Sequence, residues 1–259
     1  MTKLSKLVLV DVDGTICFTS PPTEERFLCV SNGYFLSLKT LALLEKISQM
    51  AILALVTGRR LVNALSLATV PADYVICEHG GLIYNKQQVF DQDWSTHHQP
   101  FVTKLLERKG QLWDFEQRLA SQGVKTDKAG RYVSFRVLSP LDDQETSLAS
   151  GRVIDQLPTG LTSLVNQGQL DILPLTATKD RAIGYLAERF HCPLSQVVMI
   201  GDDANDLAAL NLVGWPMTLA GASRPVVEAV KSRGGMVSSA SDHAGIQQLL
   251  RCLIHQLTC

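Results

Sequence analysis

Short apolar runs and stretches of helical hydrophobic spacing alternate through the first and last thirds of the chain. Residues 6–10 (Lys-Leu-Val-Leu-Val) form a run that stops abruptly at Asp11, the pattern of a strand buried on both faces of a parallel sheet. Leu36, Leu38, Leu41, Leu44 and Ile47 recur at mixed three-to-four spacing, which predicts an amphipathic helix over 36–49. A second buried strand is expected at 51–56, ending in Thr57-Gly58-Arg59, then a helix over 60–68 and a third strand at 74–77. After residue 178 the alternation resumes: helix 179–190, strand 196–200, helix 206–211, a weaker strand within 213–219, and helices 224–231 and 245–255. Strands separated by helices predict βαβ units, so the fold class is α/β with a parallel sheet.

The middle of the chain, from about Tyr84 to Asp171, breaks that rhythm. Residues 102–122 read as one long helix carrying Leu105, Leu106, Leu112, Phe115 and Leu119. Over 131–138 the pattern alternates, with Tyr132, Ser134 and Arg136 on one side and Val133, Phe135 and Val137 on the other. Period two with one polar face predicts a sheet that is wet on one side. A helix over 142–156 and a hairpin of 161–166 with 169–173, around Gln167-Gly168, complete an α+β block. Its place inside the α/β pattern predicts an insertion: a core of residues 1–83 and 173–259, and an inserted domain of residues 84–172.

Composition narrows the setting. Hydrophobic residues make up 46% and charged residues 19%, a globular mix rather than a disordered one. Lys+Arg 24 against Asp+Glu 25 leaves a formal net charge of −1, which argues against a broadly basic binder of nucleic acid or membrane surfaces. The longest uninterrupted apolar run, residues 50–56, falls far short of the roughly 20 residues that cross a bilayer. The N-terminal residues lack a secretory pattern, and six scattered cysteines form no C-x-x-C pair. A cytoplasmic protein with reduced thiols is therefore expected.

The candidate chemistry sits where strands end. Asp11-Val-Asp-Gly-Thr15 follows the first strand, Thr57-Gly58-Arg59 the second, Glu78-His79-Gly80-Gly81 the third, and Gly201-Asp202-Asp203-Ala204-Asn205-Asp206 the strand at 196–200. Lys179 opens the helix that precedes this last strand. In open parallel sheets ligands bind beyond the carboxyl ends of the strands. A parallel sheet thus brings Asp11, Asp13, Asp202, Asp203 and Asp206 to one edge with a hydroxyl and a lysine. Carboxylates crowded in this way repel one another, and an all-oxygen set with few ligands suits Mg²⁺. Asp11 can attack phosphorus to form an aspartyl phosphate, while Asp13, two residues on, can protonate the leaving alcohol and then activate water.

These motifs, in this order, resemble those of haloacid-dehalogenase-superfamily phosphatases, and the resemblance covers essentially the whole chain. It implies a Rossmann-like core, Asp11 as nucleophile, Asp13 as general acid and base, and a phosphate held by Thr57, Gly58, Lys179 and Asn205. It further implies Mg²⁺ held by Asp11, the Asp13 carbonyl and Asp202, with Asp206 as a ligand or a partner behind them. Asp13 is the residue that hydrolytic members carry and dehalogenases lack, which implies a phosphatase. An insertion between Thr57 and Lys179 resembles the branch with a C2-type cap. Gln169-Leu-Asp-Ile-Leu-Pro174, followed by Lys179, is similar to sucrose-phosphate phosphatases and their sugar-phosphatase relatives, as is Val133-Ser-Phe135. The tail from Val213 to Gly245 is similar to the same branch and to Cof-type hydrolases.

The expected substrate is a small phosphorylated metabolite, a sugar or sugar-acid phosphate, with Arg59, His79 and Arg131 on its side of the site. Lys125, Lys128, Arg131 and Arg136 surround one hairpin; a solvated face is expected there, with contact to an anionic or polyol substrate as the other reading. Neighbouring His97 and His98 are expected to be structural, since adjacent side chains rarely face one ligand. Competing functions are phosphoryl transfer of the sugar phosphomutase kind and a receiver-like protein phosphorylated on Asp11. The sequence leaves the oligomeric state open.

Overall fold

The computed structural model describes residues 6–23, 25–31, 33–138, 151–166 and 168–258. Its central strand, β1 (Leu7–Asp11), is buried along its whole length because a helical layer covers each face of the sheet around it. That sheet has seven strands in the order β13 (Met236–Val237), β12 (Trp215–Thr218), β11 (Val197–Ile200), β1, β4 (Ile52–Val56), β5 (Tyr74–Cys77) and β6 (Leu82–Asn85). Every neighbouring pair is parallel except β5–β6. The α/β class and the parallel-dominated sheet are as the sequence pattern predicts.

Alternation along β1 sends Val8 and Val10 to one layer, with Leu44 and Ile47 of α1 (Leu38–Met50) and Leu249, Leu250 and Leu253 of α8 (Asp242–Thr258). Leu7 and Leu9 enter the other layer, with Ala182, Ile183 and Leu186 of α5 (Lys179–Arg189), Leu210 of α6 (Leu207–Leu212) and Val226 and Val230 of α7 (Arg224–Ser232). Each fully buried Val or Leu contributes roughly 1.5–3 kcal/mol, so this strand is among the most firmly placed parts of the chain.

Four local readings differ from the sequence expectation, one being the strand expected over 131–138, of which only Phe135–Val137 forms. Leu36 belongs to β3 (Tyr34–Ser37), which pairs with β2 (Phe27–Ser31) in a hairpin; α1 begins only after Ser37, whose hydroxyl accepts from Lys39 N. The expected helix over 60–68 breaks into α2 (Leu61–Ala64) and a 3₁₀ turn (Leu65–Thr69). The expected long helix over 102–122 is only α4 (Gln111–Ser121). Arg108 has φ 52° and Gly110 φ 116°, values no right-handed helix contains. A Cβ on Gly110 would meet Phe101 O at 2.5 Å, so only glycine allows this close turn.

The segment between β6 and α5 builds a second sheet of four antiparallel strands: β7 (Thr126–Asp127), β8 (Phe135–Val137), β10 (Gln169–Pro174) and β9 (Leu161–Asn166). The hairpin expected around Gln167-Gly168 is present, in register from Gln169↔Asn166 to Pro174↔Leu161. Trp113 and Phe115 of α4 pack on Phe135, with ring centroids 6.4 and 6.2 Å apart. Most of the expected helix over 142–156 lies outside the described residues; the chain is helical at 151–155.

The two connections into and out of this cap are fastened together. His98 is buried with Nε2 2.9 Å from Gly81 O and Nδ1 3.1 Å from Thr176 Oγ1. Trp94, in α3 (Gln92–Thr96), donates from Nε1 to Gly80 O at 2.8 Å and packs on Tyr185 of α5. Among the described residues, no helix is long and apolar enough to cross a membrane.

Candidate active site

Strand order places the chemistry. β1 lies between β11 and β4, with Asp11 opposite Val56 and Val10 opposite Ile200. Thr57 and the Gly201-Asp202 turn therefore flank Asp11 at the carboxyl edge of the sheet. Beyond Asp11 the chain makes one tight turn, with Ile16 N and Cys17 N both donating to Val12 O. Gly14 sits in it at φ 86°, and a Cβ there would meet Asp202 Oδ2 at 2.2 Å. Glycine lets this turn close against the last acidic motif.

Lys179, at the first position of α5, projects into the cluster. Its Nζ donates to Asp11 Oδ1 and Asp206 Oδ1, each at 2.7 Å, and to Asn205 Oδ1 at 3.3 Å. Burial opposes the lysine's charge, but Asp11 and Asp206 outweigh it and hold the ammonium protonated. Burial also pushes the Asp11 carboxyl well above its usual range, with Lys179 opposing and Asp206 and Asp202 adding to the rise. Burial brings Asp202 up to about 6 against the pull of its Thr15 hydrogen bond.

The second oxygen of Asp206 accepts from Asp202 N at 3.1 Å and Asp203 N at 3.3 Å, so both its oxygens are bound to protein donors. Asp206 thus ties the lysine to the acidic turn. Asp203 caps that turn, accepting from Ala204 N, and forms a reciprocal capping box with Asp206. Carboxylate oxygens of Asp11, Asp202 and Asp206 lie within 4.8 Å of one another. Three hard oxygen donors around one lysine leave excess negative charge, a donor set that fits a small divalent cation such as Mg²⁺.

Asp13 is engaged differently. Arg59 donates to its two oxygens from Nε at 2.8 Å and Nη2 at 2.6 Å, and the guanidinium stacks 5.3 Å over the Tyr34 ring of β3. Thr57 is nearly buried; its hydroxyl oxygen accepts from Arg59 N at 3.1 Å, leaving the hydroxyl proton for another acceptor. Asp11, Asp13, Thr57, Gly58, Asp202 and Asn205 share the wall of a single cavity of about 620 Å³.

The expected solvated face holds for Lys125 and Lys128, which are exposed, but not for the two arginines on the cap side of this cavity. Arg136 is half-buried and Arg131 nearly fully buried, and both line the cavity. Arg136 grips Asp171 through Nε and Nη2, each at 2.7 Å. His79 is fully buried with Nε2 2.9 Å from the same carboxylate; it meets Asp171 instead of lining the cavity wall, where a substrate contact was expected. Burial lowers the His79 imidazole despite Asp171. Burial opposes ionisation of Asp171, yet hydrogen bonds from Arg136 and His79 hold its carboxyl far below the usual range.

Two buried acids beside the site had no role assigned to them from the sequence. Asp171 could have been found as one charge inside the apolar run Leu170-Asp-Ile-Leu173. Glu78 is fully buried and accepts from Tyr132 N, Val133 N and Ser134 Oγ, tying the end of β5 to the cap. Glu78 and His79 take left-handed φ values of 49° and 63°, strain that these bonds offset.

The sucrose-6F-phosphate phosphohydrolase profile matches residues 5–218, most of the chain. The chain belongs to this family. It is a haloacid-dehalogenase-superfamily phosphatase, a phosphoric monoester hydrolase with the Rossmann-like core and cap of that superfamily. This family member is similar to phosphoglycolate phosphatase of Archaeoglobus fulgidus, 22% identical over 253 residues covering 96% of each chain. Its fold is similar to that of a haloacid dehalogenase-like hydrolase from Bacteroides thetaiotaomicron, with TM-score 0.70, 15% identity, and 96% and 99% of the two chains covered. It is also similar to the subclass IIB sugar phosphatase BT4131, with TM-score 0.67, 14% identity, and 96% and 98% covered.

Proposed function

We propose that this phosphatase is Mg²⁺-dependent and hydrolyses a phosphomonoester of a small metabolite, a sugar or sugar-acid phosphate, through an aspartyl phosphate on Asp11. The observation that carries the reading is Asp11 at the end of the central strand, 2.7 Å from Lys179, in one cavity with Asp13 and Asp202. Asp11 attacks phosphorus and the bond to the leaving oxygen breaks. Asp13, turned from Arg59 and in its acid form, gives that oxygen its proton and becomes a carboxylate; it then takes a proton from the water that attacks the aspartyl phosphate, which restores both Asp13 and Asp11. The Thr57 hydroxyl, Gly58, Lys179 and Asn205 hold the phosphate oxygens. Asp11, the Asp13 carbonyl and Asp202 would hold Mg²⁺, with Asp206 behind them; bound there, the ion neutralises charge between phosphate and carboxylates.

Residues 84–172 act in this reading as a cap that covers the site, excludes water and reads the leaving group. Arg60 supports this role, since it donates from Nη1 to Ala129 O at 3.0 Å and lies 3.7 Å from Asp127 on the cap. A screen of phosphorylated metabolites for phosphate release in Mg²⁺ tests the proposal. Release from sugar or sugar-acid phosphates supports it; release from nucleotides alone would move the substrate class elsewhere.

A further inference from the structure

We propose that the leaving group of the preferred substrate carries a second anionic group, bound by Arg131 and Arg136 of the cap. The inference rests on the phosphatase reading above and names the chemistry at the far end of the same cavity.

Two guanidiniums share one carboxylate there. Arg136 uses two of its donors on Asp171, while Arg131 Nη2 lies 3.8 Å from Asp171 and its Nη1 is 3.3 Å from Ser134 Oγ. Arg131 Nε has no hydrogen-bond partner although the side chain is only 6% exposed. A buried donor on a charged group is costly to leave unmade, and a ligand in the adjoining cavity would complete it. Burial lowers the Arg131 guanidinium from its usual range; Asp171, Glu78 and Asp127 oppose that and Arg136 adds to it.

The other charges nearby are already occupied. Glu78 has its oxygens on Tyr132 N, Val133 N and Ser134 Oγ, and Arg60 has Asp127 and Ala129 O. The scissile phosphate belongs at the strand-end side, beside Asp11 and Thr57, so it does not answer the arginines. Hydroxyl groups of a neutral sugar would bring no charge of their own and leave the two guanidiniums to share Asp171. A carboxylate or a second phosphate presents paired oxygens that match the planar guanidinium fork.

Matched substrates test this: 3-phosphoglycerate against glycerol 3-phosphate, 6-phosphogluconate against glucitol 6-phosphate, and fructose 1,6-bisphosphate against fructose 6-phosphate. The anion-bearing member of at least one pair is expected to have a kcat/KM about tenfold higher or more, chiefly through KM. Preference in the carboxylate pairs alone identifies a carboxylate, and in the bisphosphate pair alone a second phosphate. The ratio should fall toward one in Arg136→Gln and Arg131→Gln. Because a buried arginine supports its surroundings, Arg136→Lys is measured beside them, with a thermal unfolding scan of each; a charge without the fork should give an intermediate ratio. Neutral partners that are equal or better in every pair, or an unchanged ratio in the folded variants, would overturn the inference alone. Failure to release phosphate from any phosphomonoester would overturn the phosphatase reading with it.

Discussion

On the core side of the cavity one buried cation, Lys179, lies between the carboxylates of Asp11 and Asp206, with Asp202 beside them. On the cap side a buried anion, Asp171, lies between Arg136 and Arg131 and meets His79, with the buried Glu78 nearby. The two sides are electrostatic opposites facing a common space. Crowded carboxylates on one wall call for a cation, and in the inference above the unpartnered Arg131 donor on the other calls for an anion. A phosphorylated acid with a divalent ion would satisfy both, and on the proposed reading the core wall sets the class of chemistry and the cap wall the choice of substrate.

The largest effect should come from depriving the core wall of its ion. Chelation of divalent metal is expected to abolish phosphate release, with Mg²⁺ restoring it; full activity in chelator would remove the cation from the comparison. Next is Lys179→Met, which removes the cation paired with Asp11 and Asp206. It should destabilise the metal-free protein by about 3–5 kcal/mol in chemical unfolding, with part recovered on adding Mg²⁺. Asp171→Asn is the opposite experiment on the cap wall. Since Arg136 is less deeply buried than Lys179, a smaller loss of about 2–3 kcal/mol is expected, with no recovery by Mg²⁺.

The smallest effect is one of pH. Asp202 rises from the usual 3.8 to about 6, so the folded metal-free protein keeps a proton that the unfolded chain releases. Its contribution to stability is present below about 4 and is lost as pH rises through about 6. A cation requires the ionised carboxylate, so the Mg²⁺-induced rise in unfolding temperature should grow between pH 5 and pH 7.5. A constant rise would show that Asp202 is not a ligand.

The core wall was legible because a parallel sheet converts sequence into position. Asp11, Thr57 and Asp202 each follow an apolar run, and adjacent strands bring such ends together whatever their separation along the chain. The cap wall obeys no such rule. Arg136 and Asp171 meet through antiparallel register while Arg131 reaches them from the loop before β8, and a period-two pattern cannot distinguish a face turned to water from one turned to a cavity. The break at Arg108–Gly110 was hidden because apolar spacing at 102–122 imitates a helix that backbone sterics forbid. The β2–β3 hairpin carried a readable signal in Asn32-Gly33, a pair favoured in tight hairpin turns.

The central claim is that Asp11 carries the phosphoryl group. Phosphate release from the best substrate of the screen, in Mg²⁺, should be followed for the parent chain and Asp11→Asn side by side, with thermal unfolding confirming that both are folded. The account predicts a fall of at least roughly three orders of magnitude in kcat for the variant. Turnover by folded Asp11→Asn at the parent rate would contradict it.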